Sequence, residues 1–339
     1  MNPSNPAEPP ANPLKDSVAV VAGATRGAGR GVARGLGESG ALVYCTGRSG
    51  SGDRSDYDRP ETIEETANLI TSAGGKAVPV KIDHTDETAT ADLFRKIAHD
   101  HGKIDILVNS IAGEDPRMGQ WGAFWEANLE HAPEILNNTI VSHFITAKYA
   151  AQTMLRQNSG LIVEITESDQ LTAGGNPIAQ TTKIALKTAT LNRATELHHS
   201  QIAAIALTPG FLRSEAILDH FQVDETTWRQ AIEHDPNFEH SESPVFLGRV
   251  IAALATDPDL LTKSGQVYGS WELARIYGTT DVDGTQPDWG AVEPDLSALP
   301  KPFLEQLAGG AELSLRWLKS ITQRTERFHT RLSNTQRPH

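Results

Sequence analysis

The stretch Ser17–Gly31, SVAVVAGATRGAGRG, constrains the fold of this 339-residue chain more than any other. It opens on the unbroken apolar run Val18-Ala19-Val20-Val21-Ala22, the pattern of a strand buried on both faces. Gly23, Gly27, Gly29 and Gly31 follow, and beyond Gly27 the residues become helix-compatible, with Val32, Ala33 and Leu36. Strand, glycine turn and helix start together form a grip for a phosphate. The glycines let the backbone approach the anion, and the free N–H groups of the helix start carry partial positive charge. The spacing Gly-x-x-x-Gly-x-Gly in that context predicts a phosphate site rather than a bare turn.

The length suffices for a full core, and a mean hydropathy of −0.35 fits a globular protein. A net charge of −13 argues against nonspecific nucleic-acid binding. No run of apolar residues is long enough to span a membrane, and the start, MNPSNPAEPPANP, does not read as a secretory signal. Residues 1–13 are expected to be a disordered arm. Cys45 is the one cysteine, so neither an intrachain disulfide nor a cysteine metal cluster is expected. Within Leu42-Val43-Tyr44-Cys45 it reads as a buried, inert thiol. These features point to the cytoplasm, and no metal site is expected.

Further strands are expected at 41–46, 77–82, 104–108, 161–165, 202–207 and 266–269. Helices are expected at 61–73, 86–101, 134–157, 178–198 and 244–255. Alternating strands and helices with short connections predict right-handed crossovers and a parallel sheet, an α/β Rossmann-type doubly wound fold with helices on both faces. Ligands of such sheets bind beyond the carboxyl ends of the strands. The predicted domain covers 14–290, and 291–339 is a helical C-terminal extension, with seven Lys/Arg against three Glu from Lys301 onward. That extension would either pack on its own domain or reach an acidic neighbouring subunit. The polar segment 213–242 reads as an insertion that lids a substrate.

Where an NAD-binding dinucleotide fold carries Asp or Glu after its second strand, this chain has Arg48, and Arg26 lies in the glycine turn. A carboxylate there would repel a 2′-phosphate, whereas two guanidiniums would hold it. NADP(H) is therefore expected over NAD.

The motifs Gly23-Ala24-Thr25-Arg26-Gly27-Ala28-Gly29, Asp83 after the third strand, Asn109 to Gly113 after the fourth, Lys183 and Pro209-Gly210 after the sixth occur in the order of one known family. From about Ser17 to Gly278 the chain resembles a short-chain dehydrogenase/reductase. One departure is the loop Asn109-Ser110-Ile111-Ala112-Gly113, one residue longer than the family's usual Asn-Asn-Ala-Gly.

The resemblance implies a Rossmann domain that binds NAD(P)(H) in a homodimer or homotetramer and acts on a small molecule. It implies that Gly23, Thr25, Arg26, Gly27 and Gly29 cradle the cofactor phosphates and Asp83 holds the adenine edge. Asn109 and Gly113 would line the adenosine side, Pro209, Gly210 and Ser214 would frame the nicotinamide, and Lys183 would hold its ribose.

Family catalysis also needs a tyrosine four residues before the lysine, on the same helix face, and a serine after the fifth strand. Here those positions carry Ala179 and Glu167, and a methyl group cannot transfer a proton. Three readings remain open. Glu167 or Asp169 supplies the proton for hydride transfer, beside Lys183, or an already charged substrate needs no protein acid. Glu167 is instead the base of an elimination, isomerisation or cyclisation. Or the protein is a catalytically silent binding or scaffold subunit. Trp121, Phe124 and Trp125 would either wall an apolar substrate pocket or pack as core.

Overall fold

The computed structural model describes residues 12–52, 58–112, 124–126, 128–167 and 177–292. The expected N-terminal arm lies almost wholly outside these residues, and the C-terminal helical extension lies outside them apart from Ala291 and Val292. Among the described residues, seven parallel strands form one sheet in the order β3-β2-β1-β4-β5-β6-β7. They are β1 (Val18–Ala22), β2 (Leu42–Gly47), β3 (Lys76–Lys81), β4 (Ile106–Asn109), β5 (Gly160–Ile165), β6 (Ile202–Thr208) and β7 (Val267–Gly269). The chain reverses its winding between β1 and β4, and crevices at such a point are where parallel sheets bind ligands.

The two-residue alternation of β1 explains its unbroken apolar run. Ala19 and Val21 enter one core with Val32, Leu36, Phe246 and Leu247. Val18 and Val20 enter the other, with Phe94, Ile97, Leu107 and Met154. Both faces are covered, so neither set of side chains meets water. The edge strand β3 differs: it carries Pro79, which cannot donate to a neighbour, between Lys76 and Lys81.

The helices are α1 (Gly27–Glu38), α2 (Ile63–Ser72), α3 (Glu87–His101), α4 (Ala132–Leu136), α5 (Ser142–Gln157), α6 (Pro177–Glu196), α7 (Glu215–His220), α8 (Pro244–Ala255) and α9 (Ser270–Tyr277). Their starts follow capping chemistry. Asp86 accepts from the Ala89 N–H at 2.9 Å, and Ser243 accepts from the Phe246 N–H at 3.3 Å just before Pro244. The α1–α8 contact is built on glycine: a Cβ on Gly31 would lie 2.0 Å from the Pro244 carbonyl carbon, and one on Gly35 would lie 2.6 Å from that of Gly248. Gly31 therefore serves helix packing rather than the turn before it.

The stretch 134–157, expected as one helix, is interrupted. A π-helical turn, Asn137–Val141, separates α4 from α5. Two hydroxyls bond back onto the wider turn: Thr139 donates to the Ile135 carbonyl at 2.6 Å and Ser142 to that of Asn138 at 2.5 Å. The insertion after β6 has a small core of its own, Leu218, Trp228, Ala231 and Phe238. Cys45 is buried, and burial pushes its thiol up to about 12, so it is unreactive. Among the described residues no helix is long and apolar enough to cross a membrane. No group of three or more His, Cys, Asp or Glu among them could hold a metal ion.

Candidate functional site

A cleft of about 410 Å³ opens beyond the carboxyl ends of β1 to β4 and is closed on one side by the start of the insertion, Leu212 to Ala216. Its floor is the glycine turn. Gly23 has φ +86°, and a Cβ there would lie 2.4 Å from the Ser110 carbonyl oxygen, so only glycine fits. A Cβ on Gly29 would lie 2.0 Å from the Gly23 carbonyl oxygen. The turn is thus wound against itself and against the end of β4. The Gly23 and Ala24 amides donate to the Thr46 carbonyl at 2.9 Å, and the Gly27 amide, at the mouth of α1 where an anion is favoured, donates to the Glu215 carboxylate at 2.7 Å.

Of the residues singled out from sequence, Gly23, Thr25, Arg26, Gly27, Arg48, Asp83 and Ser214 line this cleft together. Arg26 lies 4.0 Å from the buried carboxylate of Glu61. Arg59 binds Glu61 more closely, through Nε at 2.9 Å and Nη2 at 2.5 Å, and also lines the cleft. Burial pushes the Glu61 carboxyl up, but the hydrogen bonds from Arg59 and the charges of Arg59 and Arg26 outweigh it and hold it below the ordinary range. Asp83 is exposed and accepts from the N–H and hydroxyl of Thr85 at 2.9 and 2.7 Å. Beside it His84 is buried, which pushes its ring down to about 4 and leaves it neutral, with Nε2 at 2.7 Å from the Thr46 hydroxyl. Sequence reasoning passed over Arg59 and His84, because nothing local marks either as facing the cleft.

Other expected residues sit elsewhere. Asn109 is fully buried and does not line the cleft. It donates to Glu164 at 2.9 Å and accepts from the Thr146 hydroxyl at 2.7 Å. Glu164, on β5, gathers Asn109, Arg193 and His143, whose Nδ1 is 2.5 Å from its Oε2. His143 also bonds the Ile111 carbonyl through Nε2 at 3.0 Å, which ties this buried network to the loop after β4. Burial raises the Glu164 carboxyl, but Arg193 and His143 outweigh it and hold it down. Pro209 and Gly210 are half-buried just past β6, with the Gly210 N–H donating to Glu242 at 3.1 Å.

Lys183 is half-buried on α6, one turn after the buried Ala179, and Glu167 is exposed immediately past β5. Asp169, Gly113 and Trp121 lie outside the described residues, and Trp125 is 74% exposed. The described tyrosines are all committed elsewhere. Tyr44 bonds His101 at 2.8 Å, Tyr149 bonds Glu87 at 2.9 Å, Tyr268 bonds Gln266 at 3.1 Å and Tyr277 bonds Asp257 at 2.6 Å.

Comparison with known proteins agrees with this geometry. The family model for short chain dehydrogenases matches residues 17–222. The mouse protein called dehydrogenase/reductase SDR family member 1 is 33% identical over 276 residues, 80% of this chain and 85% of that protein. The human protein of that name is 33% identical over 278 residues, 81% of this chain and 86% of its own length. A 7alpha-hydroxysteroid dehydrogenase of Clostridium sardiniense is 29% identical over 208 residues, 61% of this chain and 75% of that one. Among solved structures, a short-chain dehydrogenase/reductase from Serratia marcescens superposes with a TM-score of 0.59 at 25% identity, over 76% of this chain and 97% of that one. The strand order, the wound glycine turn and these likenesses agree: the chain belongs to the short-chain dehydrogenase/reductase family.

Proposed function

We propose that this oxidoreductase-family protein binds NADP(H) and acts on a small organic substrate through a non-standard acid–base arrangement. The observation that carries the cofactor reading is the pair Arg26 and Arg48, both lining the cleft, with arginine rather than a carboxylate just past β2. Guanidiniums there favour a 2′-phosphate through paired, charge-assisted hydrogen bonds. The glycine turn supports the same ligand: Gly23 and Gly29 let the turn close on its own backbone, and Gly27 lines the cleft at the start of α1. A bound nicotinamide supplies or accepts a hydride. The chain would hold the phosphates over the turn Gly23 to Gly29, through the amides beyond Ala24 and the Thr25 hydroxyl, and the nicotinamide side through Pro209, Gly210 and Ser214. Asp83 and Gly113 would serve the adenosine side, and Lys183 the ribose.

Proton transfer is the altered part. Ala179 stands one turn before Lys183 and offers no phenol, so we assign the proton to Glu167 in the serine position, with Asp169 beside it. A substrate that is already cationic would need neither. The loss of both the tyrosine and the serine favours a second reading, in which the fold is kept for an elimination, isomerisation or cyclisation with Glu167 as base. We further expect a homodimer or homotetramer, working in the cytoplasm.

Titration with NADPH and NADH, followed by protein fluorescence and melting temperature, tests the cofactor assignment. NADPH is expected to bind more tightly, and Arg48→Ala is expected to remove that preference. A protein indifferent to both nucleotides overturns the redox reading. Full turnover in Glu167→Gln removes Glu167 as the proton donor.

A further inference from the structure

The helix α7 carries two carboxylates one turn apart, Glu215 and Asp219, a spacing that puts both on one face. Each is fastened to a group that the cleft would turn toward phosphate. Glu215 Oε2 accepts from the Gly27 N–H at 2.7 Å, the first amide of α1, and its Oε1 lies 3.5 Å from Arg30 Nε. Asp219 Oδ2 accepts from Arg59 Nη2 at 2.7 Å. Arg59 lines the cleft with Arg26 and Arg48, and the same Glu61 holds it and approaches Arg26. A carboxylate on a helix-start amide and a carboxylate on a guanidinium are the two contacts a dinucleotide phosphate would make.

We propose that Arg59 is a third guanidinium for the 2′-phosphate, and that α7 is a built-in competitor. Glu215 occupies the pyrophosphate grip and Asp219 occupies Arg59 until the dinucleotide displaces them. This rests on the NADP(H) reading and adds a binding residue and a coupling to it. Because α7 opens the insertion, displacing its two anchors loosens the edge of the insertion that borders the cleft, while Leu218 stays on the insertion's core, and this couples cofactor arrival to substrate access. The displaced contacts also weaken apparent cofactor affinity by the fraction of molecules in which they are made.

The two anchors predict different signatures. Pyrophosphate is common to NADPH and NADH, so Glu215→Gln should tighten both, by about three- to tenfold. The 2′-phosphate belongs to NADPH alone, so Asp219→Asn should tighten NADPH by a similar factor and leave NADH unchanged. Arg59→Gln should weaken NADPH and spare NADH. Dissociation constants for both nucleotides, measured by isothermal titration on the full chain and each variant, decide the matter. Asp219 has a 68% exposed side chain, so its variant tests the idea without disturbing the core. If the wild type prefers NADPH and neither acidic variant tightens it, the competitor falls and the cofactor reading stands. If neither the wild type nor any variant binds either nucleotide, both fall together.

Discussion

Arg213 Nη2 donates to Asp281 Oδ2 at 3.0 Å, with both side chains sealed from water. The same guanidinium bonds the Ser241 carbonyl at 2.7 Å and lies 4.1 Å from the centre of the Trp228 ring. Asp281 in turn accepts from the Ser243 N–H at 2.8 Å and from the Ser243 hydroxyl. One buried ion pair thus fastens both ends of the insertion to the segment after α9. The run Asp281-Val282-Asp283-Gly284, which superficially resembles the start of a calcium loop, is explained by this role, with Asp283 binding Arg229 at 2.6 Å.

Removing Asp281 leaves the buried Arg213 guanidinium with the partly exposed Glu225, 3.4 Å away, as its carboxylate partner. Because Glu225 compensates that charge in part, Asp281→Ala should lower the stability of the folded protein by about 2–4 kcal/mol. Urea unfolding measures it. A loss below about 1 kcal/mol, the level of an exposed pair, would show that the insertion is held by its apolar core instead.

Glu242 gives an alkaline limb. Burial is the main cause pushing its carboxyl up to about 8, against the hydrogen bonds from Ser270 and Gly210. The folded state therefore holds this proton where the unfolded state, near 4.5, has lost it. Stability from this group is complete below pH 4.5, falls as pH rises toward 8, and is level above that. Glu242→Gln should remove this slope, so the variant gains about 2–4 kcal/mol on the wild type between pH 5 and 9. Parallel stability–pH curves for the two proteins would refute it.

Glu164 acts in the opposite direction. Its carboxyl is held down by Arg193 and His143 despite burial, so its contribution is present above the ordinary carboxylate range and lost as pH falls through the lowered value. Glu164→Gln should cost about 3–5 kcal/mol at neutral pH. It should also flatten the acid side of the stability profile, which melting temperatures from pH 3 to 7 would reveal.

Gly31 tests the helix contact. A Cβ there meets backbone atoms of Pro244 at 2.0 and 2.1 Å, whereas one on Gly37 meets first the Ile70 side chain, at 2.5 Å. Side chains rotate away and backbone does not, so Gly31→Ala should cost about 1–3 kcal/mol and Gly37→Ala clearly less. Equal melting temperatures for the two variants would count against close α1–α8 packing.

The strands, their winding and the glycine turn were legible in the residues alone, because each is written in near neighbours. The run Val18–Ala22 becomes β1 over its full length, Asp86 caps α3, and Gly23 takes the φ that its turn demands. Strand periodicity, capping and turn geometry are interactions across a few bonds. Which side chains face each other across long separations emerged only from the folded chain. The π-helical turn at Asn137–Val141 is a backbone detail that helical periodicity does not encode. Asn109 looked like a cleft residue because its motif sits at a strand end, yet it is drawn inward by Glu164, 55 positions away. Arg59 and Asp219 meet over 160 positions, and Gly27 and Glu215 over 188. Contacts of that kind depend on how whole layers stack. A residue's chemistry can therefore be read from its letter, while the partner that sets its role is fixed only when the sheet, its helices and the insertion come together.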